Sequence, residues 1–415
     1  MGSREVSGQP EALGDRPRRI VDVGVYHNWA TALEIVEYLP PGWRQFVADH
    51  VRQPWHDFLL GLGPKPAGPL GFGPLGGDFP YQSPHGRYFP GSQEEGAVAG
   101  GSSAGSLVDQ HLNPNGIDSA ILCHGLGMFV PIGVVPRLAL ELVRAVNDWT
   151  VERWLASDDR LRAAVLVPTQ IPDAAAEEIR RIGKPPQVVA VLLGANGLGK
   201  PFGHPAYFPI YEAAEEMGLP LIIRAGGDSG MEAPSYPTAG GMPGTYTEFR
   251  VLGFQSLATH AASLIAQGVV ERFKSLKFLL LGAGATWVTP FLWRFDTEYM
   301  AFRQGIAWIQ NEMPSDVFHR HFFVGTDSSF QPSDPEVFRA VLEADPSLAD
   351  IICYSSGYPD REYLSPSRLL EVLPHDWGDK VMSANAVRLF GLPSGPTDTA
   401  SVADTLSSGR LRKVK

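Results

Sequence analysis

Residues 278–281 read Phe278-Leu279-Leu280-Leu281, and a helical pattern follows them from Trp287 to Phe302. A near-continuous apolar run of this kind is expected of a strand that is covered on both faces, as in parallel sheets. The same alternation of a short apolar run with a longer helical pattern recurs along most of the chain. It predicts parallel βα units.

Working outward from this stretch, eight apolar runs are separated by helical patterns. The predicted strands are Ile20–Tyr26, Ser119–Cys123, Ala163–Val167, Val188–Leu193, Leu219–Arg224, Phe278–Gly282, Phe322–Gly325 and Ile351–Ser355. The predicted helices are Pro136–Ala156, Ala174–Ile182, Tyr207–Met217, Phe254–Phe273, Trp287–Phe302, Glu336–Ala344 and Ala384–Phe390. Eight strands with helices between them favour an α/β fold of the (β/α)8 TIM-barrel type over a doubly wound sheet.

The connection after the first strand is unusually long and is rich in Gly and Pro. It runs over residues 62–115 and is expected to start at the mouth of the barrel, where active sites of this fold lie. A lid over the site and a dimerisation arm for a neighbouring subunit both fit it. The chain then divides into a flexible amino-terminal tail (1–19), a barrel (20–395) and a flexible carboxy-terminal tail (396–415).

Composition narrows the class of protein. The 415 residues carry a net charge of −11, with 44% hydrophobic and 19% charged residues, so a nucleic-acid partner is not expected. Two cysteines, Cys123 and Cys353, exclude a disulfide scaffold and a multi-cysteine zinc site. No targeting segment and no run near the roughly 18 apolar residues of a membrane span is present, which predicts a cytoplasmic protein without a membrane partner.

Several short motifs carry a family resemblance through their order and spacing from Ile20 to Leu392. They are Val21–His27, Ala145–Trp149, Pro209–Ala214, Trp287 with Trp293–Asp296, Tyr354–Asp360 and Ala384–Ala386. The chain resembles the amidohydrolase-related, aminocarboxymuconate-semialdehyde-decarboxylase-like family of metal-dependent hydrolases. The resemblance implies a barrel fold, and members that keep the motifs bind a divalent metal and hydrolyse or decarboxylate small substrates.

The resemblance also places the metal ligands of the family on four strands, where this chain has other residues. Gly24 and Tyr26 stand at these positions on the first strand, Arg224 on the fifth, Gly282 on the sixth and Gly357 on the eighth. A zinc-like ion needs N or O ligands at about 2.0–2.2 Å, usually three or more from the protein. A permanently cationic arginine would repel the ion. We therefore predict no metal and no other cofactor.

Among these replacements, Arg224 has the clearest chemical consequence. At the mouth of the fifth strand its guanidinium could hold a carboxylate or phosphate through two hydrogen bonds. An internal ion pair with Asp22, which is also expected to face inward, explains the residue equally well. Tyr26, Lys200 and His204 complete the predicted substrate-binding set.

Four further residues follow strands at the carboxyl ends that are functional in this fold. They are His27, His124, Asp327 and Asp360. A histidine there can act as a general acid or base near neutral pH, although each one alone is better explained as a loop histidine with ordinary hydrogen bonds. Asp360 replaces the histidine of the family after Tyr-Pro, and it either pairs with Arg361 at the surface or faces the cavity.

Three functional hypotheses follow. The first is a metal-independent enzyme of the lyase, decarboxylase or cyclase type that acts on a small anionic substrate. The alternative is a non-catalytic subunit that pairs with a metal-bearing amidohydrolase paralogue. The third is a hydrolase whose metal has moved to His27, His124 and Asp327. The expected assembly is a homo-oligomer or a heteromer with such a paralogue.

Overall fold

The computed structural model describes residues 19–50, 88, 91–92, 99–133, 135–194, 197–225, 251–309, 312–327 and 332–393. Residues 1–18 and 394–415 and most of the 62–115 insertion lie outside these ranges. The flexible tails and the choice between lid and dimerisation arm therefore stay predictions. No helix of the described ranges is long and apolar enough to cross a membrane.

The described residues form eight strands that pair side by side in chain order, all of them parallel. They are β1 Val21–His27, β2 Ser119–His124, β3 Leu161–Leu166, β4 Val188–Leu193, β5 Leu221–Arg224, β6 Phe278–Leu281, β7 Phe322–Gly325 and β8 Ile352–Cys353. Bonds from Val23 N to Tyr354 O (2.9 Å) and from Tyr26 N to Tyr358 O (2.7 Å) join β1 to the last segment. The predicted (β/α)8 barrel is confirmed.

Helices separate the strands. In the described ranges the α-helices are α1 Leu33–Val36, α2 Pro41–His50, α3 Ala104–Leu107, α4 Asn113–Asn115, α5 Pro136–Trp149, α6 Pro172–Ile182, α7 Phe208–Met217, α8 Phe254–Ala266, α9 Val269–Arg272, α10 Val288–Phe302, α11 Pro314–His321, α12 Pro335–Glu343, α13 Pro366–Val372 and α14 Asn385–Phe390. One-turn π-helices continue α3 at Val108–Leu112 and α5 at Thr150–Trp154. The long helices match the predicted ones to within a few residues, except as follows.

The helix predicted over Phe254–Phe273 is two helices. Gly268 lies between α8 and α9 with φ +74°, a left-handed conformation that glycine adopts at little cost and that ends an α-helix. The apolar periodicity continues through the break between the two helices. The sequence pattern therefore does not reveal where the first helix ends.

β8 has two residues instead of the predicted five. Tyr354 N donates to the Val381 carbonyl, and the next two amides bind side chains. Ser355 N donates to Thr326 Oγ1 at 2.9 Å, and Ser356 N donates to Asp22 Oδ1 at 3.0 Å. Buried amides must find such partners once they leave the ladder. These bonds hold the segment that carries Gly357 and Asp360 against the rim of the barrel.

A buried asparagine ties the helix layer to the barrel. Asn147 of α5 accepts from Leu166 N (2.9 Å) and donates to Leu166 O (2.9 Å) and to Glu178 Oε1 of α6 (2.7 Å). One side chain thus satisfies both backbone groups at the end of β3 and one buried carboxylate. This accounts physically for Asn147 in the Ala145–Trp149 motif.

The core lies between strands and helices. Strand residues of β6 and β7 are buried, and each large apolar side chain that is removed from water contributes about 1.5–3 kcal/mol. Cys123 and Cys353 are buried free thiols. Burial raises the pKa of both thiols, so neither is a ready nucleophile.

Candidate functional site

Tyr26 and Asp327 meet inside the barrel. The Tyr26 hydroxyl on β1 donates to Asp327 Oδ2, which follows β7, and both residues are buried. β1 and β7 are not neighbours in the sheet, so this bond crosses the interior. Asp327 Oδ1 accepts from Gly282 N at 3.1 Å, and the carboxylate is therefore fixed from two sides.

Arg224 lies on the same group. Its guanidinium carbon is 3.4 Å from the centroid of the Tyr26 ring, and Nη1 donates to the His124 carbonyl oxygen at 2.7 Å. Nη2 is 3.5 Å from Asp360 Oδ2. Tyr26, Arg224, Asp327 and Asp360 are called the mouth cluster below. They come from β1, β5, β7 and the segment after β8, at the carboxyl ends of the strands where this fold builds its sites.

Burial controls the protonation of the mouth cluster. It raises the pKa of the Asp327 carboxyl, against the hydrogen bonds from Tyr26 and Gly282 and the charge of Arg224. Burial and the adjacent Asp327 raise the pKa of Tyr26 well above its usual value, so its hydroxyl stays protonated. The arrangement combines a permanent cation with a buried carboxyl that takes up a proton more readily than one in water.

Asp22 has a different partner from the one considered in the sequence. Its Oδ2 lies 2.7 Å from His111 Nε2, and its Oδ1 accepts from Gly24 N at 3.0 Å. The alternative that Arg224 pairs with Asp22 is therefore wrong. The register of β1 against β2 shifts after Asp22, and this bulge turns Asp22 away from the inner row. His111 was missed, because no spacing pattern links it to a residue 89 positions away.

The structure places His27 away from the mouth cluster. Successive strand residues face opposite sides, so His27 points away from the interior that Tyr26 faces. Its ring stacks on Trp149 (centroids 5.7 Å apart), and its Nε2 lies 3.1 Å from Thr150 Oγ1 in the helix layer. Burial lowers the pKa of His27 to about 3. It is a neutral packing residue between β1 and α5.

His124 contributes its backbone rather than its ring. The ring is fully buried beside His27, with centroids 4.2 Å apart, and within the described ranges neither of its nitrogens has a hydrogen-bond partner. Burial, with the charges of His27 and Arg224, holds its pKa well below the usual value. The predicted acid–base role is therefore not supported, whereas the carbonyl of His124 anchors Arg224.

The two predicted residues after β4 stand apart from the mouth cluster. His204 Nδ1 accepts from Ala206 N at 3.1 Å, which caps a short 3-10 helix. Lys200 is exposed, and its carbonyl accepts from the Tyr207 hydroxyl at 3.2 Å. Among the described residues no hydrogen bond or ion pair joins either side chain to Arg224.

The relocated metal site is not formed. His27 faces the helix layer while Asp327 lies inside the barrel, so the three proposed ligands do not converge. In the parts of the chain that the structure describes, no group of three His, Cys, Asp or Glu side chains is placed to hold a metal ion.

Comparison with known proteins bears on this site. A family model described as amidohydrolase matches residues 127–392. The chain belongs to this amidohydrolase family. It is 25% identical over 299 residues to a gamma-resorcylate decarboxylase of a Rhizobium species, an alignment that covers 69% of this chain and 85% of that protein. A gamma-resorcylate decarboxylase of Rhodococcus jostii is 27% identical over 202 residues, which span 46% of this chain and only 60% of that protein.

This amidohydrolase-family chain has the same fold as a solved structure. That structure is a 5-carboxyvanillate decarboxylase from Novosphingobium aromaticivorans complexed with manganese and 4-hydroxy-3-methoxy-5-nitrobenzoic acid. The TM-score is 0.60 at 16% identity, and the match covers 90% of this chain and 96% of that one. At this identity the likeness concerns the barrel alone.

Proposed function

We propose that this chain is a metal-independent decarboxylase that acts on a small aromatic carboxylate. Two kinds of observation support the proposal: relatives in the amidohydrolase family are named as gamma-resorcylate decarboxylases, and the mouth cluster joins a cation to a buried acid. The substrate class comes from the relatives, and the independence from a metal comes from the side chains of this chain.

Arg224 is the group that binds the anion. Its side chain is 8% exposed, and its guanidinium lies over the Tyr26 ring and is fixed at one end by the His124 carbonyl. A guanidinium held in this way keeps its orientation before the ligand arrives, so little freedom is lost on binding. The adjacent aromatic ring suits an aromatic ligand whose carboxylate or phenolate lies against the cation.

The side chains at the positions that the family uses for metal do not suit a divalent ion. A side chain at Gly24 would require Ser355 to move, because its Cβ would lie 2.3 Å from Ser355 Oγ. Gly282 and Gly357 have φ +96° and +70°, conformations in which a ligand-bearing residue would be strained. The Tyr26 hydroxyl is taken by Asp327, and Arg224 brings positive charge to the same space. We derive no reaction step through a metal.

The chemistry then depends on proton delivery. A proton from the Tyr26–Asp327 pair adds to the ring carbon that bears the carboxylate. The bond to the carboxyl carbon breaks, its electron pair returns to the ring, and carbon dioxide leaves. Water restores the proton to the pair. Burial raises the pKa of Asp327 and so favours its protonated form more than water does, and a general acid acts from that form.

Arg224 alone does not accelerate this reaction. A cation that binds the carboxylate equally well in the ground state and in the transition state strengthens binding and leaves the rate constant unchanged. We therefore assign orientation of the substrate to Arg224 and the rate gain to the Tyr26–Asp327 pair. This division predicts different kinetic effects when each is replaced.

One observation carries the proposal: Arg224 lies against the ring whose hydroxyl binds the buried Asp327. The test is turnover of 2,6-dihydroxybenzoate, the ligand of a solved decarboxylase of this fold, by the purified full chain. Asp327→Asn should lower kcat by about 10²–10⁴ with little change in KM. Arg224→Gln should mainly raise KM. An Asp327→Asn variant as active as the wild type would exclude this mechanism.

A further inference from the structure

We propose that Asp360 is a resident carboxylate of the anion site, which a substrate carboxylate displaces from Arg224. The inference rests on the proposed function, because it takes Arg224 as the group that binds the substrate. It makes Asp360 the residue that sets which ligands can enter.

The contacts of Arg224 differ in length. Nη1 donates to the His124 carbonyl at 2.7 Å, whereas Nη2 lies 3.5 Å from Asp360 Oδ2. Hydrogen bonds between a guanidinium and a carboxylate are usually about 2.7–2.9 Å long. The backbone contact is thus at full strength and the Asp360 contact is long, so Asp360 is the weaker of these partners and the one to exchange.

The charges in the mouth cluster require an exchange. Arg224 is one positive charge, and the Asp360 carboxylate already lies beside it. A substrate carboxylate would be a second anion at the same guanidinium, and like charges at short distances oppose one another. Asp327 is 2% exposed and is fixed by Tyr26 and Gly282, so it cannot leave.

Asp360 has a route out of the cluster. Its side chain is 19% exposed, which leaves room to rotate toward water. Its backbone is held: Asp360 N donates to Gly357 O at 2.8 Å, and a bridge pairs the backbone of Asp360 with that of Tyr88 from the insertion. Displacement is therefore a rotation of the side chain, and the segment itself stays in place.

This arrangement discriminates between ligands by their charge. An anionic ligand replaces the Asp360 carboxylate and leaves Arg224 paired. A neutral ligand of the same shape has two options. It can leave the Arg224–Asp360 pair intact and make no contact with Arg224, or it can break the pair and leave Arg224 without an anion in a nearly dry site. We expect the site to accept carboxylates and to reject amides.

The experiment measures binding of benzoate and of its neutral analogue benzamide to the full chain by titration calorimetry. Asp360→Asn should bind benzoate about tenfold more tightly than the wild type, with no gain for benzamide. Asp360→Glu keeps the charge and should remain within about threefold of the wild type. Glu216→Gln removes one charge from the exposed Arg180–Glu216 pair and should change nothing.

The outcomes are distinct. If Asp360→Asn binds benzoate no more tightly than the wild type while Arg224→Gln loses binding, displacement is wrong and the anion site of the proposed function stands. If Arg224→Gln binds benzoate as the wild type does, the anion site itself is wrong. Absence of benzoate binding in both the wild type and Asp360→Asn also overturns the inference. Asp360→Ser, which removes the same carboxylate, replaces Asp360→Asn if that variant does not fold.

Discussion

The guanidinium of Arg224 lies over the Tyr26 ring, with its carbon 3.4 Å from the ring centroid, while the hydroxyl of the same ring binds Asp327. In a desolvated site a cation–π contact contributes about 2 kcal/mol. Tyr26 therefore links the anion-binding group to the buried acid, with its ring serving one and its oxygen the other. These two contributions can be separated by substitution.

Tyr26→Phe should keep benzoate binding and lose most of the turnover, because the ring remains beneath Arg224 and the hydroxyl is gone. Tyr26→Leu should also weaken benzoate binding by about tenfold, since Arg224 then lacks its aromatic support. Calorimetry with benzoate and turnover of 2,6-dihydroxybenzoate test both variants. Equal benzoate affinities for the two variants would show that the ring does not position Arg224.

Removal of divalent ions should leave the activity unchanged. We expect purified protein to contain far less than one manganese or zinc ion per chain, and incubation with EDTA followed by manganese should not alter turnover. The reason is that the positive charge of Arg224 repels a divalent cation, and the glycines at the neighbouring ligand positions of the family carry no side chain that could bind one. Elemental analysis and the turnover assay measure this. One bound ion per chain, with activity that a chelator abolishes, would contradict the metal-independent proposal.

Stability should rise with pH below neutrality because of His27. Its pKa is about 3 in the folded chain and about 6.5 when unfolded, so the unfolded state binds the additional proton between these values. The contribution is complete above about pH 6.5 and is lost as the pH falls, by up to about 1.4 kcal/mol per pH unit. Buried His124 adds in the same direction.

Urea unfolding at several values between pH 4.5 and pH 7 measures this slope. His27→Gln should be less stable at pH 7 and should show a shallower dependence on pH. A matched His375→Gln substitution removes an exposed histidine and should leave the slope as it is. An unchanged slope in His27→Gln would mean that His27 is not buried in its neutral form.

Asn147→Ala should lower the free energy of unfolding by about 2–4 kcal/mol. The substitution leaves both backbone groups of Leu166 without this partner in a buried place, at about 1–3 kcal/mol each, whereas Glu178 keeps its bonds from Arg181. Thr259→Ala, on an exposed helix face, should stay within about 0.5 kcal/mol of the wild type. The midpoints of denaturant unfolding measure this difference. Equal midpoints for the two variants would refute the anchoring role of Asn147.

The sequence predicted the barrel and most of the mouth cluster. Near-continuous apolar runs identify parallel strands, and residues directly after such strands lie at the mouth, which selected Arg224, Asp327 and Asp360. The same rule selected His27 and His124, whose rings lie outside the mouth cluster. Position along a strand decides at which end a residue lies, but one step of alternation decides whether it faces the interior or the helices.

The partners of the site residues depended on the fold. Asp22 was expected to face inward, and the bulge in β1 turns it toward His111 instead. The contact between Arg224 and Tyr26 joins residues almost 200 positions apart and rests on the His124 carbonyl, which no side-chain pattern reveals. Backbone acceptors are identical at every residue, so only their placement in space distinguishes one from another.

The amino-acid order alone determined the fold class, the strand positions and the family, because hydrophobic periodicity and motif spacing are properties of the chain itself. The prediction that glycines, a tyrosine and an arginine stand at the ligand positions of the family rests on the resemblance. Tertiary structure alone decided that Arg224, Tyr26, Asp327 and Asp360 form one cluster while His27 packs against Trp149. Closure of the barrel brings distant strands within hydrogen-bond reach, and local register selects which side chains meet there.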